Sequence, residues 1–148
     1  KEKYHLLIGM KTAETLKIEL GSALGDKQSF MKVLGRDLVS GLPAEANVTS
    51  DVVYQPVSDI LQEVVKNARD MRTHTPPEIY DAILNEGTLI TGEGSRLDHI
   101  KLYMEEALKI PVLMAETPDQ SVVKGLGTIM KDDKFKRLVF SGKEAIFS

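Results

Sequence analysis

One segment of the sequence restricts the possible folds more than any other, because it has the pattern of a strand, a helix and a second strand. Residues Thr88–Thr91 favour a short strand, and Val112–Ala115 favour another directly after Pro111. Strands joined through a helix run parallel, with a right-handed crossover. The segment therefore predicts an α/β fold. The helix between the strands is indicated by apolar residues at steps of three and four: Leu97, Ile100, Met104, Ala107 and Leu108.

Composition is that of an ordinary soluble globular protein, and it argues against several functions. The 148 residues amount to one domain or slightly more. The net charge of −3 gives no electrostatic footprint for nucleic acid. No apolar run reaches the length of a membrane span. The absence of cysteine excludes disulfides and thiolate zinc sites, and it fits a reducing cytoplasm.

The first third of the chain predicts a helix followed by a small antiparallel sheet. Thr12 is placed to cap a helix that runs to about Ala23. Residues 30–37 and 46–49 have the composition of short strands, and Gly41-Leu42-Pro43 separates them. Two such strands joined by a tight turn pair antiparallel.

The clearest single element is a long amphipathic helix. It starts at Ser50-Asp51, and Pro56 predicts either a kink or a short helix followed by a longer one. Charged residues occupy the opposite face, so the apolar face is predicted to pack against the small sheet. The apolar stripe consists of Val57, Ile60, Leu61, Val64, Val65, Ala68 and Met71.

Two further helices are marked by proline. Thr75-Pro76-Pro77-Glu78 favours the first turn of a helix that Gly87 is placed to end. Pro118-Asp119 opens a last helix, which carries an apolar face. In the tail, Lys134–Phe140 has the composition of a basic amphipathic surface anchor, although such tails more often dock on their own domain or fray.

The sequence Gly92-Glu93-Gly94-Ser95 lies between the first strand of the α/β unit and its helix, at the edge where α/β proteins bind ligands. Glycines let a ligand approach the backbone, and a helix N-terminus favours anionic groups. A tight turn without a ligand is the more frequent explanation of so short a motif. The motif has neither the third glycine of a dinucleotide fingerprint nor the lysine of a P-loop.

Glu14 and Lys17 lie three residues apart and share one face of the first helix. A carboxylate can accept a hydrogen bond from a ribose hydroxyl, and a lysine stem can lie on a purine ring. From spacing alone, a surface ion pair is the more common explanation. The histidines His5, His74 and His99 are isolated, so no metal site is predicted.

Several motifs, taken together and in order, resemble the MreB-type bacterial actin homologues of the rod shape-determining family. The most specific is Val33–Pro43, which is similar to the family's Gly-Arg-Asp-Leu-x-x-Gly-Leu-Pro stretch. Ile8–Glu19 resembles the helix that contacts adenosine, and Leu89–Ser95 resembles the adenosine loop. The similarity extends to about Met130. Other matching stretches are Pro56-Val57-x-x-Ile60, Thr75–Glu78, Pro111-Val112, Ala115-Glu116-x-Pro118 and Gly125-x-Gly127-Thr128.

The resemblance implies an actin-like fold of the superfamily that also contains sugar kinases and heat-shock chaperone ATPases. The chain would be a C-terminal fragment, less than half of an intact member. Residues 1–24 and 75–148 would form part of subdomain IIA, and residues 25–74 would form the subdomain IIB insert. The phosphate loops, the hydrolytic carboxylate and the Mg²⁺ ligands would lie elsewhere in the intact protein, so the fragment alone is not expected to be catalytic.

The resemblance also carries over a nucleotide site, residue by residue. Glu14 and Lys17 would face the ribose and adenine, and the Gly92–Ser95 loop would bring its backbone to the nucleoside. Arg96 and Leu97 would lie near the adenine. The family usually has glycine where this chain has Glu93, and a carboxylate near phosphates would repel them unless it points to solvent. The eight predicted nucleotide-binding residues are Glu14, Lys17, Gly92, Glu93, Gly94, Ser95, Arg96 and Leu97.

The function implied is that of a cytoskeletal protein that polymerises with ATP into filaments at the inner face of the membrane and guides cell-wall synthesis and cell shape. Its partners would be other filament subunits, a RodZ-type membrane protein and the wall synthesis machinery, with no nucleic acid. The intact protein would be a slow ATPase with ATP and Mg²⁺ as cofactors. The alternatives are a sugar kinase, a heat-shock chaperone ATPase, and an α/β interaction module without a ligand.

Overall fold

The computed structural model describes residues 3–138, which form two small sheets flanked by helices. Residues 139–148, which include the end of the predicted Lys134–Phe140 anchor, lie outside the described residues. One sheet is antiparallel, with strands β1 (Leu6–Leu7), β2 (Phe30–Asp37) and β3 (Pro43–Thr49) in that order. The other is the parallel pair β4 (Thr88–Ile90) and β5 (Val112–Met114).

Five α-helices occur among the described residues. They are α1 (Met10–Leu20), α2 (Ser50–Thr73), α3 (Pro77–Glu86), α4 (Ile100–Leu108) and α5 (Ser121–Lys131). Two short 3₁₀ helices cover Glu93–Arg96 and Asp133–Leu138. In the described part of the chain, no helix combines the length and the apolar character that crossing a bilayer requires. The parallel pairing of β4 with β5 confirms the predicted α/β unit.

The antiparallel sheet confirms the predicted hairpin, in which Phe30 pairs with Thr49 and Arg36 with Pro43. Its turn is held by Asp37, whose carboxylate accepts hydrogen bonds from the backbone N–H groups of Val39 (3.0 Å) and Ser40 (2.6 Å). The short strand β1 covers the other edge of β2. The spacing of polar and glycine residues in this stretch is therefore explained by the geometry of a strand turn.

Gly35 is required by the close approach of β1 to β2. A Cβ atom at this position would lie 2.6 Å from the carbonyl oxygen of Leu7 and 2.7 Å from the side chain of Leu6. Only glycine leaves room for the backbone of β1 at that distance. The motif that resembles a filament-protein signature thus has a packing role inside the small sheet.

Two clusters of buried side chains form the core. The first lies under the antiparallel sheet and contains Leu6, Leu16, Leu20, Val33 and Val48. The second lies between α2, α4 and the parallel strands and contains Ala23, Leu61, Val65, Ile100, Met104, Leu108, Ile110 and Val112. Each fully buried aliphatic side chain contributes about 1.5–3 kcal/mol relative to an exposed one, so both clusters stabilise the fold substantially.

Helix α2 passes through both clusters as one continuous helix, so the predicted alternative of a short helix followed by a longer one is wrong, while the kink at Pro56 stays a prediction. Pro56 removes only one backbone donor, and it occupies an exposed position seven residues into the helix. Val52 and Val53 pack on the small sheet on one side of it, and the second cluster holds the helix on the other. Packing at both ends outweighs a penalty of about 3 kcal/mol for an interior proline.

The apolar stripe of α2 was predicted to pack against the small sheet, and this is wrong for its central part. Leu61 and Val65 instead pack in the second cluster, which α4 and β5 complete. Ile60 and Met71 remain 63% and 73% exposed. The periodicity of a stripe shows which side of a helix is apolar. Which element packs against that side depends on where the later segments of the chain lie.

Three helix starts differ from their predicted positions. Helix α1 begins at Met10, after an extended Gly9, so Thr12 lies inside the helix and does not cap it. Helix α5 begins at Ser121, and Pro118-Asp119 precede it in a turn. Helix α4 begins at Ile100, because the 3₁₀ turn and a left-handed His99 with φ of 60° come between the glycine motif and the helix.

Candidate functional site

A concave space of about 360 Å³ lies where α1, α2 and the loop after β4 meet. Pockets of about 300–1,000 Å³ are the usual size for small organic ligands, so this space can accept one. Its floor is apolar and its rim is charged. The lining residues are Glu14, Lys17 and Ile18 from α1, Val57, Ile60 and Leu61 from α2, and Glu93, Gly94, Arg96, Leu97 and Asp98 from the loop.

Six of the eight residues predicted for a nucleotide line this cleft. They come from two segments far apart in sequence that the fold brings to opposite walls. The two that do not line it are Gly92 and Ser95, whose roles lie within the loop. The six lining residues are Glu14, Lys17, Glu93, Gly94, Arg96 and Leu97.

On the α1 wall, the carboxylate of Glu14 and the ammonium of Lys17 form an ion pair of 2.6 Å. Each side chain is about half exposed, with relative exposures of 52% and 49%. The surface ion pair that spacing alone favoured is therefore present, and it stands at the rim of the cleft. Because exposed pairs contribute at most about 1 kcal/mol, a ligand can replace this contact at small cost.

On the opposite wall, Gly92 and Ser95 fix the shape of the loop. Gly92 has a φ of +89°, a conformation that L side chains rarely adopt, and its N–H donates to the carbonyl of Pro118 at 2.8 Å. The hydroxyl of Ser95 donates to the carbonyl of Gly92 at 2.7 Å, and Ser95 is only 4% exposed. Both residues therefore fix the conformation of the loop, and Glu93 and Gly94 between them line the cleft.

Gly94 presents bare backbone to the cleft, since a Cβ built on it would meet nothing within 4 Å. The prediction that a helix N-terminus favours anionic groups at this loop is wrong, because α4 begins only at Ile100. The intervening 3₁₀ turn already uses the N–H groups of Ser95 and Leu97, which donate to Gly92 and Gly94. The cleft therefore offers close backbone approach without the anion-binding end of an α-helix.

Arg96 lines the cleft, and its guanidinium pairs with a residue outside the lining. The guanidinium pairs with the carboxylate of Asp119 at 2.7 Å, just before α5. This contact is the main cause that lowers the pKa of Asp119 below its ordinary value. The arginine thus ties the loop to the residues that precede α5.

Sequence reasoning missed five lining residues. Ile18 adjoins Lys17 on α1 and lies four residues after Glu14, a spacing that placed it on the same helix face. Val57, Ile60 and Leu61 belong to the apolar stripe of α2, which the sequence assigns to the core. Only the position of the loop after β4 in the fold shows that they also form the floor of the cleft. Asp98 carried no signal in the sequence.

Comparison with known proteins gives a family match over nearly the whole chain. The sequence model of the family described as MreB/Mbl protein matches residues 1–137. Among curated relatives, the cell shape-determining protein Mbl of Bacillus subtilis (strain 168) is 37% identical over 131 residues, which are 88% of this chain and 39% of the relative. The cell shape-determining protein MreB of Escherichia coli (strain K12) is 32% identical over 132 residues, covering 88% of this chain and 38% of the relative.

Solved structures show the same fold. MreB5 of Spiroplasma citri bound to AMPPNP superposes with a TM-score of 0.82 at 27% identity, over 91% of this chain and 40% of that one. The ADP-bound form of MreB5 gives a TM-score of 0.83 at 28% identity, over 92% and 41%. These matches confirm the predicted actin-like fold. The chain spans about 40% of the length of the relatives it matches.

Proposed function

The chain belongs to the MreB/Mbl protein family, and on that premise we propose that it forms one wall of an adenosine-nucleotide cleft in an actin-like protein that determines cell shape. The observation that carries the proposal is the convergence of two separately predicted sets of residues on one pocket. Glu14 and Lys17 stand on one wall, and Gly94, Arg96 and Leu97 stand on the other. The assignment of the chain to the C-terminal portion of the family remains a prediction.

The chemistry of the cleft suits a nucleoside. A purine has two apolar faces and a polar edge, and the cleft pairs an apolar floor of Ile18, Val57 and Leu61 with a polar rim. The stem of Lys17 can lie along a ring face while its ammonium remains in water. The carboxylate of Glu14 can accept a hydrogen bond from a ribose hydroxyl.

The charges of the cleft do not suit a triphosphate. Glu14, Glu93 and Asp98 bring three carboxylates to the lining, against the two cations of Lys17 and Arg96. Arg96 is already paired with Asp119 and Asp98 with Lys27, both outside the lining, so two carboxylates and one ammonium remain. We therefore infer that this wall binds the nucleoside, and that the phosphates and Mg²⁺ of ATP are held by residues of the whole protein beyond those described.

The remaining parts of the function rest on family membership. The MreB and Mbl relatives are described as cell shape-determining proteins, and the two MreB5 structures hold AMPPNP and ADP. For the whole protein we propose ATP-dependent assembly into filaments at the inner face of the cytoplasmic membrane. Contacts with a RodZ-type membrane protein and with the wall synthesis machinery belong to the same proposal.

Separate NMR titrations test the nucleoside assignment on the 148-residue chain. ATP, ADP, adenosine and inorganic triphosphate are each titrated, and the methyl signals of Ile18 and Leu97 are followed by NMR. We expect the three adenosine compounds to shift both signals and triphosphate to leave them unchanged. Shifts with triphosphate alone would show an anion site and contradict the proposal.

Assembly is tested on the whole protein by sedimentation and negative-stain electron microscopy with ATP, with ADP and without nucleotide. Filaments that depend on nucleotide are the expected result. A monomer under all three conditions would contradict the assembly proposal, whatever the outcome of the nucleoside titration. The sugar-kinase and chaperone alternatives, which the family match disfavours, would show such a monomer with tight ATP binding.

A further inference from the structure

A second concave space, of about 330 Å³, lies in the part of the molecule that contains the antiparallel sheet. Its lining includes residues from β1, β2, β3, α1 and the first half of α2. Folded cores contain few voids larger than a water molecule, so a space of this size beside a core cluster is unusual. We call it the apolar cavity.

The apolar cavity reaches into the first core cluster. Four of its lining residues belong to that cluster, and their exposures lie between 3% and 7%. A bare face that awaits a protein partner would expose the side chains of one or two elements, whereas five elements surround this space. It is therefore a cavity within one folded unit, open to molecules small enough to enter. The four core residues are Leu6, Leu16, Val33 and Val48.

The lining offers almost nothing to a polar molecule. Only Tyr4 and Lys17 contribute polar side-chain groups, and no acidic residue is among the described residues that line the cavity. The hydroxyl of Tyr4 lies 3.3 Å from that of Thr49, and the ammonium of Lys17 is paired with Glu14 at 2.6 Å. A charged or strongly hydrogen-bonding ligand would thus lose its water without gaining a free side-chain partner.

We propose that the apolar cavity is a second binding site, for a small uncharged molecule made of an aromatic ring or a short hydrocarbon chain. Apolar cavities of about 150 Å³ in other proteins stay free of water and bind benzene or xenon. The present cavity is larger than that, and its volume lies within the usual range for small-molecule sites. The driving force is removal of apolar surface from water on both sides of the contact.

The apolar cavity adjoins the nucleoside cleft but has a lining of its own. Lys17, Val57 and Ile60 line both spaces, whereas Val33 and Val48 line only the cavity. Because the floor of the cleft is also apolar, an apolar probe could enter the cleft instead. The two sites are told apart by the residues whose signals change, and the proposal does not depend on nucleoside binding.

The test uses toluene and xenon as probes of the unaltered 148-residue chain, followed by methyl NMR. We expect the signals of Val33 and Val48 to shift and to reach saturation with both probes. The signals of Leu97 in the cleft and of Val112 in the second core should stay in place. Glycerol, which is small and uncharged but polar, should shift none of them.

Two variants fill the cavity from different helices. Ala13→Leu adds a branched alkyl group from α1, where leucine is a good helix former, and Val53→Phe adds a ring from α2. We expect the saturable shifts of the Val33 and Val48 signals to disappear in both. Ala82→Leu is the matched control for the first variant, because Ala82 is an exposed alanine of α3 that does not line the cavity.

Unchanged Val112 signals identify a variant that folds, and either filled variant alone suffices for the test. Probe shifts that persist when the cavity is filled would overturn the proposal. So would shifts confined to Ile18 and Leu97, which would place the probe in the cleft, or the absence of any saturable shift.

A last arm separates this proposal from the proposed function. Toluene is titrated again in the presence of excess adenosine, and we expect the shifts of the Val33 and Val48 signals to remain. Displacement of toluene by adenosine would show one shared space and contradict a second site. If adenosine does not bind at all, the nucleoside assignment fails, while toluene shifts at Val33 and Val48 still support the apolar site.

Discussion

Arg72, near the end of α2, donates a hydrogen bond of 2.7 Å to the carbonyl oxygen of Leu108, the last residue of α4. The last carbonyls of a helix have no partner within it, so the arginine supplies one and also opposes the negative end of the helix dipole. The same guanidinium bonds the hydroxyl of Tyr80 and lies 5.2 Å from the centre of its ring. Three helices thus meet at one side chain.

Replacing this arginine should destabilise the fold. We expect Arg72→Ala to lower the free energy of unfolding by about 1–3 kcal/mol, because it removes a charged hydrogen bond to a partly buried carbonyl. Tyr80→Phe should cost less, since it removes one partner only. Urea unfolding monitored by circular dichroism measures both. An unchanged midpoint for Arg72→Ala would show that water replaces the guanidinium without loss.

Gly35→Ala should be among the most destabilising single-methyl changes in the chain. The added Cβ would lie 2.6 Å from the carbonyl oxygen of Leu7, so β1 must move away from β2. We expect a loss of about 1–3 kcal/mol, typical of overpacking. Gly125→Ala is the matched control, because a Cβ there meets nothing within 4 Å and alanine favours the helix by about 1 kcal/mol. Equal effects at both positions would contradict the packing role.

The aliphatic stem and the ammonium of Lys17 should contribute differently to the affinity for adenosine. We expect Lys17→Met to keep most of the affinity for adenosine, because it retains an apolar stem, and Lys17→Ala to lose about tenfold or roughly 1.4 kcal/mol. Isothermal titration calorimetry or NMR titration measures the affinity. Lys32→Ala, which removes a surface ion pair with Glu45 in the hairpin, serves as control. Equal losses in the Met and Ala variants would assign the effect to the ammonium.

Glu93→Gly should raise the affinity for ATP more than that for adenosine. Glu93 lines the cleft, so its carboxylate would repel phosphate oxygens placed there, whereas the nucleoside carries no charge. The informative quantity is the ratio of the two affinities, measured at constant ionic strength. A ratio that does not change would show that Glu93 points to solvent when nucleotide is bound.

The turn of the small hairpin should weaken in acid. Hydrogen bonds from Ser40, first its N–H and then its hydroxyl, lower the pKa of Asp37 below its ordinary value of 3.8. A depressed folded-state pKa gives stability that is present above that ordinary value and is lost as the pH falls through the lower folded-state value. Asp37→Ala should therefore destabilise the chain at pH 7 and differ less from the unaltered chain at pH 3. Urea midpoints at the two pH values test this.

The sequence predicted the elements whose signals are local. The hairpin followed from composition and the Gly41-Leu42-Pro43 break, and α3 followed from Pro77 at its start and Gly87 at its end. Pro56 does not divide α2 into two helices, because its local cost is outweighed by packing on both sides of it. The start of α4 was misplaced because periodicity cannot distinguish a 3₁₀ turn followed by a left-handed residue from the first turn of a helix.

For the site, the motif resemblance identified the lining residues on α1 and on the loop after β4. The apolar periodicity of α2 did not distinguish its cleft-lining residues from its core residues. Ile60 and Leu61 belong to one apolar stripe, yet Leu61 is buried while Ile60 is 63% exposed at the cleft. No local pattern distinguishes such neighbours. The direction of Arg96 toward Asp119 also depends on a segment that lies distant in sequence.

The continuous course of α2 makes it a common support for three parts of the molecule. At 1.5 Å per residue its 24 residues span about 36 Å, with the small sheet packed near its first turns and Arg72 bonded to α4 near its end. Between these points Leu61 and Val65 are held in the second core, and Val57 and Ile60 line the cleft. One helix therefore connects the small sheet, the cleft and the end of α4.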